Sequence, residues 1–202
     1  RSGVDYDSHL QDVPAPTRDG YTLIGWLVSA PDTNPAYGYI IPAANMSTRK
    51  VDGNITYTAQ WSASTVDVTF HANASGSSGA AFSDGQAEKT FSNAYNSTMA
   101  FADVPVPVRT GYTFKGWVTS ADGTGQTQSG SFTFDGQVKG YYAQWEATKV
   151  TVTFNPNGGT ASGTTSFTLN YGENHPATIP DVTMAGSQLA YWLDMEVFNK
   201  YA

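Results

Sequence analysis

The 202-residue chain carries 17 acidic against 10 basic residues, for a net charge of −7, and has no cysteine. Disulfides and thiolate metal sites are thereby excluded. So is nucleic acid or an anionic membrane as the main partner, because both are held by dense basic patches and the lysines and arginines here are scattered. Hydrophobic residues at 40% and aromatics at 13% are enough for packed cores, which without disulfides must rest on aromatic burial. No apolar run is long enough to span a bilayer, so no membrane insertion is expected within the fragment.

Taken in order, the chain repeats itself, and an internal period decides architecture before any single residue does. Val4-Asp5-Tyr6-Asp7-Ser8 is the first of three tyrosine-centred phrases, the others being Ala94-Tyr95-Asn96-Ser97 and Asn170-Tyr171-Gly172-Glu173. In the later two a strand pair precedes the tyrosine. The first unit lacks that pair, so it is read as truncated at its N-terminus. Pro14-Ala15-Pro16-Thr17-Arg18 matches Pro105-Val106-Pro107-Val108-Arg109, and paired prolines favour an extended path over a helix.

Next comes Arg109-Thr110-Gly111-Tyr112-Thr113-Phe114-Lys115-Gly116-Trp117, the counterpart of Arg18-Asp19-Gly20-Tyr21-Thr22-Leu23-Ile24-Gly25-Trp26. The glycine punctuates a turn into a strand. Strict alternation would place Tyr112, Phe114 and Gly116 on one face, with Thr113, Lys115 and Trp117 on the other, so the strand is expected to pack on both sides. Polar stretches with Asp-Gly turns follow, and Ser131-Phe132-Thr133-Phe134 reads as a short strand. Each closing strand alternates cleanly. Tyr141, Ala143 and Trp145 share one face, with Tyr142 and Gln144 opposite, as Tyr57, Ala59 and Trp61 do opposite Thr58 and Gln60. The four tryptophans at matching places, Trp26, Trp61, Trp117 and Trp145, are expected in cores.

Ser62-Ala63-Ser64 and Glu146-Ala147-Thr148 read as short connectors to the opening strands Val66–Phe70 and Val150–Phe154. One 84-residue offset separates Trp61 from Trp145 and Phe70 from Phe154. The segment from Gln86 to Asn93 admits a short helix, but its third-unit counterpart, Thr165–Tyr171, favours a strand. Met184–Trp192 matches the Arg-Thr-Gly-Tyr phrase only loosely, and the last unit is read as divergent or cut short. The expected units are residues 1–63, 64–147 and 148–202.

The run Val150–Gly159, then Tyr171-Gly172-Glu173, with the Arg-Thr-Gly-Tyr-Thr-Phe-x-Gly-Trp and Tyr-x-Ala-Gln-Trp phrases, resembles the Listeria–Bacteroides repeat, also called the internalin-type B repeat. The resemblance implies a mainly β chain, with α+β as the alternative, built as tandem small β-grasp-like domains in an elongated array. It also implies a stalk, spacer or adhesion role in a bacterial cell-surface or secreted protein, with no catalytic residues to carry over. No enzyme and no cofactor is expected.

Candidate sites are few. His9, His71 and His175 fall at unlike places in the units, which argues against a shared metal or acid–base site. Asp5, Asp7 and Asp12 lack a calcium-loop spacing. Asn45, Asn54, Asn73 and Asn96 match glycosylation triplets that a chain rich in Asn, Ser and Thr produces by chance. Tyr142 faces the polar side where Thr58 is its counterpart, and is the candidate surface ligand contact. The partners that follow are host glycan or surface protein, and the neighbouring domains of the same chain. The competing function is a glycan-, mucin- or protein-binding module in its own right; a third is an accessory domain to an enzyme. Heparin is disfavoured by the charge.

Overall fold

The computed structural model describes residues 8–10, 13–29, 38–50, 53–74, 79–174 and 178–192. The fold is mainly β, organised in several small sheets, and the helical residues described are short 3-10 turns, at Ala43–Thr48 and Phe101–Asp103. Strands β1 (Tyr21–Ser29), β2 (Ile40–Pro42) and β3 (Thr56–Ala63) form the first sheet, in the order β2-β1-β3.

The middle of the chain contributes β4 (Thr65–His71), β5 (Ala80–Ala81), β6 (Glu88–Ala94), β7 (Thr98–Ala100), β8 (Val108–Arg109), β9 (Tyr112–Val118), β10 (Ser131–Thr133) and β11 (Gly140–Ala147). Its main sheet runs β6-β4-β11-β9, while β5–β8 and β7–β10 are separate two-stranded ribbons. The opening strand β4 and the closing strand β11 are central and parallel, whereas their outer neighbours are antiparallel. Parallel neighbours need a long crossover. Here it carries the two ribbons and the turn at Phe101–Asp103, and the extended Pro105–Pro107 segment leads into β8. The segment around Gln86–Asn93 is strand, as its counterpart implied.

Chain order continues with β12 (Lys149–Thr153), β13 (Thr160–Ser162), β14 (Ser166–Asn170) and β15 (Asp181–Thr183), paired β12–β14 and β13–β15. The linkers are shorter than the sequence indicated. Each closing strand runs on to the last residue before a single connector, Ser64 after β3 and Thr148 after β11, because β1 and β9 pair with it through to its last residue, Ala63 and Ala147.

The alternation expected along Tyr112–Trp117 is corrected by a β-bulge. Phe114 pairs with Trp145 and Gly116 with Gln144, so Lys115 is the unpaired extra residue. The first sheet repeats this, with Leu23 opposite Trp61, Gly25 opposite Gln60, and Ile24 left over. An extra residue on one strand shifts its parity. Phe114 and Trp117 therefore lie on the same core, 5.2 Å apart, and the strand does not pack an aromatic on each face. The glycine is needed at the bulge: Gly116 has φ +135°, and a Cβ on Gly25 would run into the Ile41 carbonyl. Lys115, turned outward, meets Glu146 at 2.9 Å.

Two cores result. The smaller gathers Trp26, Val28, Ile41 and Met46, with Leu23, Tyr57 and Ala59 against them. The larger is centred on Phe70, whose ring lies 4.8 Å from Trp117, 5.3 Å from Phe132 and 5.7 Å from Phe91, all edge-on, and 5.1 Å from Tyr141 in a stack. Edge-to-face pairs add to the burial of such rings. Trp26 and Trp117 are buried; Trp61 and Trp145 are half-buried, the latter donating its indole N–H to the Ala72 carbonyl at 2.9 Å.

In the last segment Phe154 meets Phe167 at 5.9 Å and Trp192 at 4.9 Å, both edge-on. These are the relations Phe70 has with Phe91 and Trp117, so Trp192 takes the place of Trp117. The backbone agrees: Ser187 N–H donates to Met184 O at 3.1 Å, as Tyr21 N–H does to Arg18 O at 3.0 Å, and Gly186 shares the positive φ of Gly20 and Gly111. The loose match of Met184–Trp192 is thus a change of side chains on a retained turn.

Phe70 sets the clearest stability test. Phe70→Ala is expected to cost about 3–5 kcal/mol, read as a lower midpoint of denaturant unfolding followed by tryptophan fluorescence. A loss under about 1 kcal/mol would mean that the aromatic cluster is not what holds this sheet.

Candidate functional site

The outward face of the central sheet is polar because alternate residues of each strand turn away from the Phe70 core. Cross-strand partners on β4 and β6 form a row of polar pairs: Ser92 Oγ donates to Asp67 Oδ1 at 2.6 Å, the Thr69 and Thr90 hydroxyls meet at 2.8 Å, and His71 Nδ1 lies 2.9 Å from Glu88 Oε1. Such pairs are the local unit of sheet stabilisation.

Tyr142 is next to this row. It pairs with His71 across the parallel ladder, and the two rings stack at 4.5 Å with 8° between their planes. Gly140, one step earlier on that face, packs against His71; a Cβ there would sit 3.1 Å from Nε2. Tyr142 is half-buried, between the buried Tyr141 and Ala143, as the alternation implied. One face of its ring is already covered by His71, so any ligand would meet the remaining edge and hydroxyl of a composite His71–Tyr142 platform. The sequence concealed this partner, since nothing in it says that the opening and closing strands lie side by side.

The other singled-out residues scatter. His9 is exposed and bridges to Lys50, far in sequence from His71, while His175, Asp5, Asp7 and Asp12 lie outside the described residues. Among the described residues no three His, Asp or Glu side chains are gathered as metal ligands would be. Two triplet asparagines have structural work. Asn73 and Asn96 adopt positive φ, +54° and +65°, and the Asn73 amide donates to the Ala143 carbonyl at 3.0 Å. A shallow, open depression is lined by Gly158, Thr160, Thr183, Met184 and Ala185, with no charged side chain among them.

Four acidic groups among the described residues are held below their usual range: Asp84 and Glu146 chiefly by hydrogen bonds from Lys89 and Lys115, and Asp122 and Glu173 by other hydrogen bonds. Asp122 accepts from the Ser120 hydroxyl and from the hydroxyl and backbone N–H of Thr124, and these bonds hold its carboxyl down at about 2. Glu173 is held below the usual range by the Asn170 backbone N–H and side-chain amide, at 2.6 and 2.7 Å. Asn170 in turn accepts from Lys149 Nζ at 2.6 Å across directly paired strands. A lysine, an asparagine and a carboxyl so placed contain the atoms of a Lys–Asn amide bond formed with loss of ammonia. That condensation needs a neutral amine and a protonated acid, hence exclusion of water. The exposed Glu173, bonded in its ionised form, supplies neither condition.

Two outcomes follow. The intact mass is expected to equal that of the sequence, and a deficit of one ammonia mapped to Lys149 and Asn170 would contradict the assignment. Asp122, with a folded pKa below its unfolded value near 3.8, adds stability that is present above that value. That stability is lost as pH falls towards about 2. Carboxyl carbon shifts should place its midpoint there, and a midpoint near 4 would mean that the three hydrogen bonds do not persist in solution.

Comparison with known proteins places the chain. A sequence model of the Listeria-Bacteroides repeat domain matches three tandem segments, residues 1–60, 66–139 and 151–202. A "Putative Gly-rich membrane protein" of Evansella cellulosilytica is 32% identical over 145 residues, covering 71% of this chain and 16% of that protein. A "Putative membrane protein" of the same organism is 29% identical over 144 residues, covering 70% of this chain and 19% of that one. The chain thus spans less than a fifth of the length of either relative. No solved structure matches. The chain belongs to the Listeria-Bacteroides repeat domain family, in three consecutive copies.

Proposed function

We propose that the chain is a non-enzymatic stalk or spacer segment of a bacterial cell-surface or secreted protein, an elongated array of β-grasp-like units that supports adhesion by a domain elsewhere in the same protein. The observation that carries this reading is the tandem match to one repeat family across units joined by single residues, Ser64 and Thr148. A one-residue link between paired strands leaves little room for independent tumbling. The relatives, named as membrane proteins and each more than five times the length of the matched stretch, fit a repeat segment within a large envelope-associated protein.

The stacked His71–Tyr142 pair favours a second reading, an adhesin module that itself holds glycan, mucin or a surface protein. An aromatic on a polar sheet face offers a sugar both apolar contact and hydrogen-bonding neighbours. The net charge of −7 disfavours sulfated glycans.

Small-angle scattering is expected to show an extended particle, with a maximum dimension well above that of a globule of 202 residues, and the glycan array is expected to be flat. A compact profile would sink the spacer reading. Array signal abolished by Tyr142→Ala would establish the adhesin reading in its place.

A further inference from the structure

The two junctions between units are built alike, from sequence phrases that lie far apart along the chain. At the first, Ser64 spends both backbone groups on bridging. Its N–H donates to Gly20 O at 2.9 Å in the preceding unit, and its carbonyl accepts from Tyr95 N–H at 2.8 Å in the following one. At the second, Thr148 N–H donates to Gly111 O at 2.9 Å and its carbonyl accepts from Tyr171 N–H at 2.8 Å. The Thr148 hydroxyl adds a bond to Gly111 O at 2.8 Å.

Side chains complete the joint. The Tyr95 ring lies on Gly20 and meets Tyr21 edge-on at 5.7 Å, and the Tyr171 ring lies on Gly111 and meets Tyr112 edge-on at 6.1 Å. Arg18 covers Tyr21 at 3.8 Å, and Arg109 covers Tyr112 at 3.7 Å. Each seat is a glycine for two reasons. The backbone is left-handed, φ +74° at Gly20 and +76° at Gly111, and a Cβ at either position would penetrate the tyrosine ring.

The geometry points to a socket. We infer that each Arg-x-Gly-Tyr turn receives the tyrosine that directly follows a strand of the next unit, Tyr95 after β6 and Tyr171 after β14, and that the filled socket fixes the angle between successive units. This rests on the array reading above and adds to it a defined, stiff joint in place of a tether. The third turn keeps the backbone with other side chains. Met184-Ala185-Gly186-Ser187 has φ +76° at Gly186 but lacks both the arginine and the tyrosine. The turn backbone therefore does not require Arg and Tyr. Edge-to-face aromatic contacts and an arginine over a ring both favour such a seat, and they add to a joint already held by two backbone hydrogen bonds.

The absence of cysteine allows a direct test on the whole chain. Spin labels at Q126C and T168C, both exposed and on opposite sides of the second junction, report the angle as a distance distribution by pulsed dipolar EPR. A single narrow distribution is expected. Tyr171→Ala should at least double its width. Tyr112→Ala, on the other side of the joint, should do the same, while Tyr142→Ala and Tyr171→Phe should leave it unchanged. Widening by Tyr171→Ala without widening by Tyr112→Ala would indicate local unfolding of the third unit and overturn the socket, as would equal widths throughout or a broad parent distribution. The two readings fail separately. Unchanged widths in a particle that scatters as extended sink only the socket, whereas socket-dependent widths in a compact particle sink only the spacer.

Discussion

The parallel pairing of β4 with β11 is the constraint on which the central unit depends. It brings Thr69–His71 beside Gly140–Tyr142, strands that stand at opposite ends of the unit's sequence. On the inner face it sets Phe70 against Tyr141 and closes the aromatic core. The outer face of the same ladder sets His71 against Tyr142 and makes the most distinctive surface feature of the sheet. Neither feature is local. Each exists because a long crossover returns the chain to a parallel neighbour, and the cysteine-free sequence holds that closure by packing and hydrogen bonds, with no covalent tie.

Much of this was legible in the residues. The repeat, the alternation of Tyr141–Trp145 and the strand at Glu88–Ala94 followed from period and turn chemistry, and the mainly β class from the family resemblance. What alternation hid was the bulge. Period-two reasoning assumes that every residue is paired, and Lys115 and Ile24 are not. A glycine directly before a tryptophan, preceded by a residue out of step with its neighbours, was the available sign. Both copies show it, and in both it turns two large side chains on positions of unlike parity towards one core.

The candidate surface shows the same division. Tyr142 was found by comparing copies, since Thr58 at its counterpart marks the position as free of core duty. His71 and Glu88 were invisible, because pairing partners belong to topology and not to composition. The junctions are a related case. The Gly-Tyr turn and the solitary tyrosine were both recognisable as repeated words, but their conjunction required the fold, which brings Gly20 to Tyr95 and Gly111 to Tyr171.

The parallel ladder has a mechanical meaning as well. The chain enters the central unit at Thr65 and leaves it at Ala147, the far ends of β4 and β11 from the residues that pair. Tension along the polypeptide therefore draws the two strands past each other lengthwise. Their hydrogen bonds cross the gap between strands, so the load reaches them together, in shear, and not one after another as in a hairpin being unzipped. A unit threaded in this way meets a pull on its termini with the whole ladder at once, and its Phe70 core lies directly beneath that ladder.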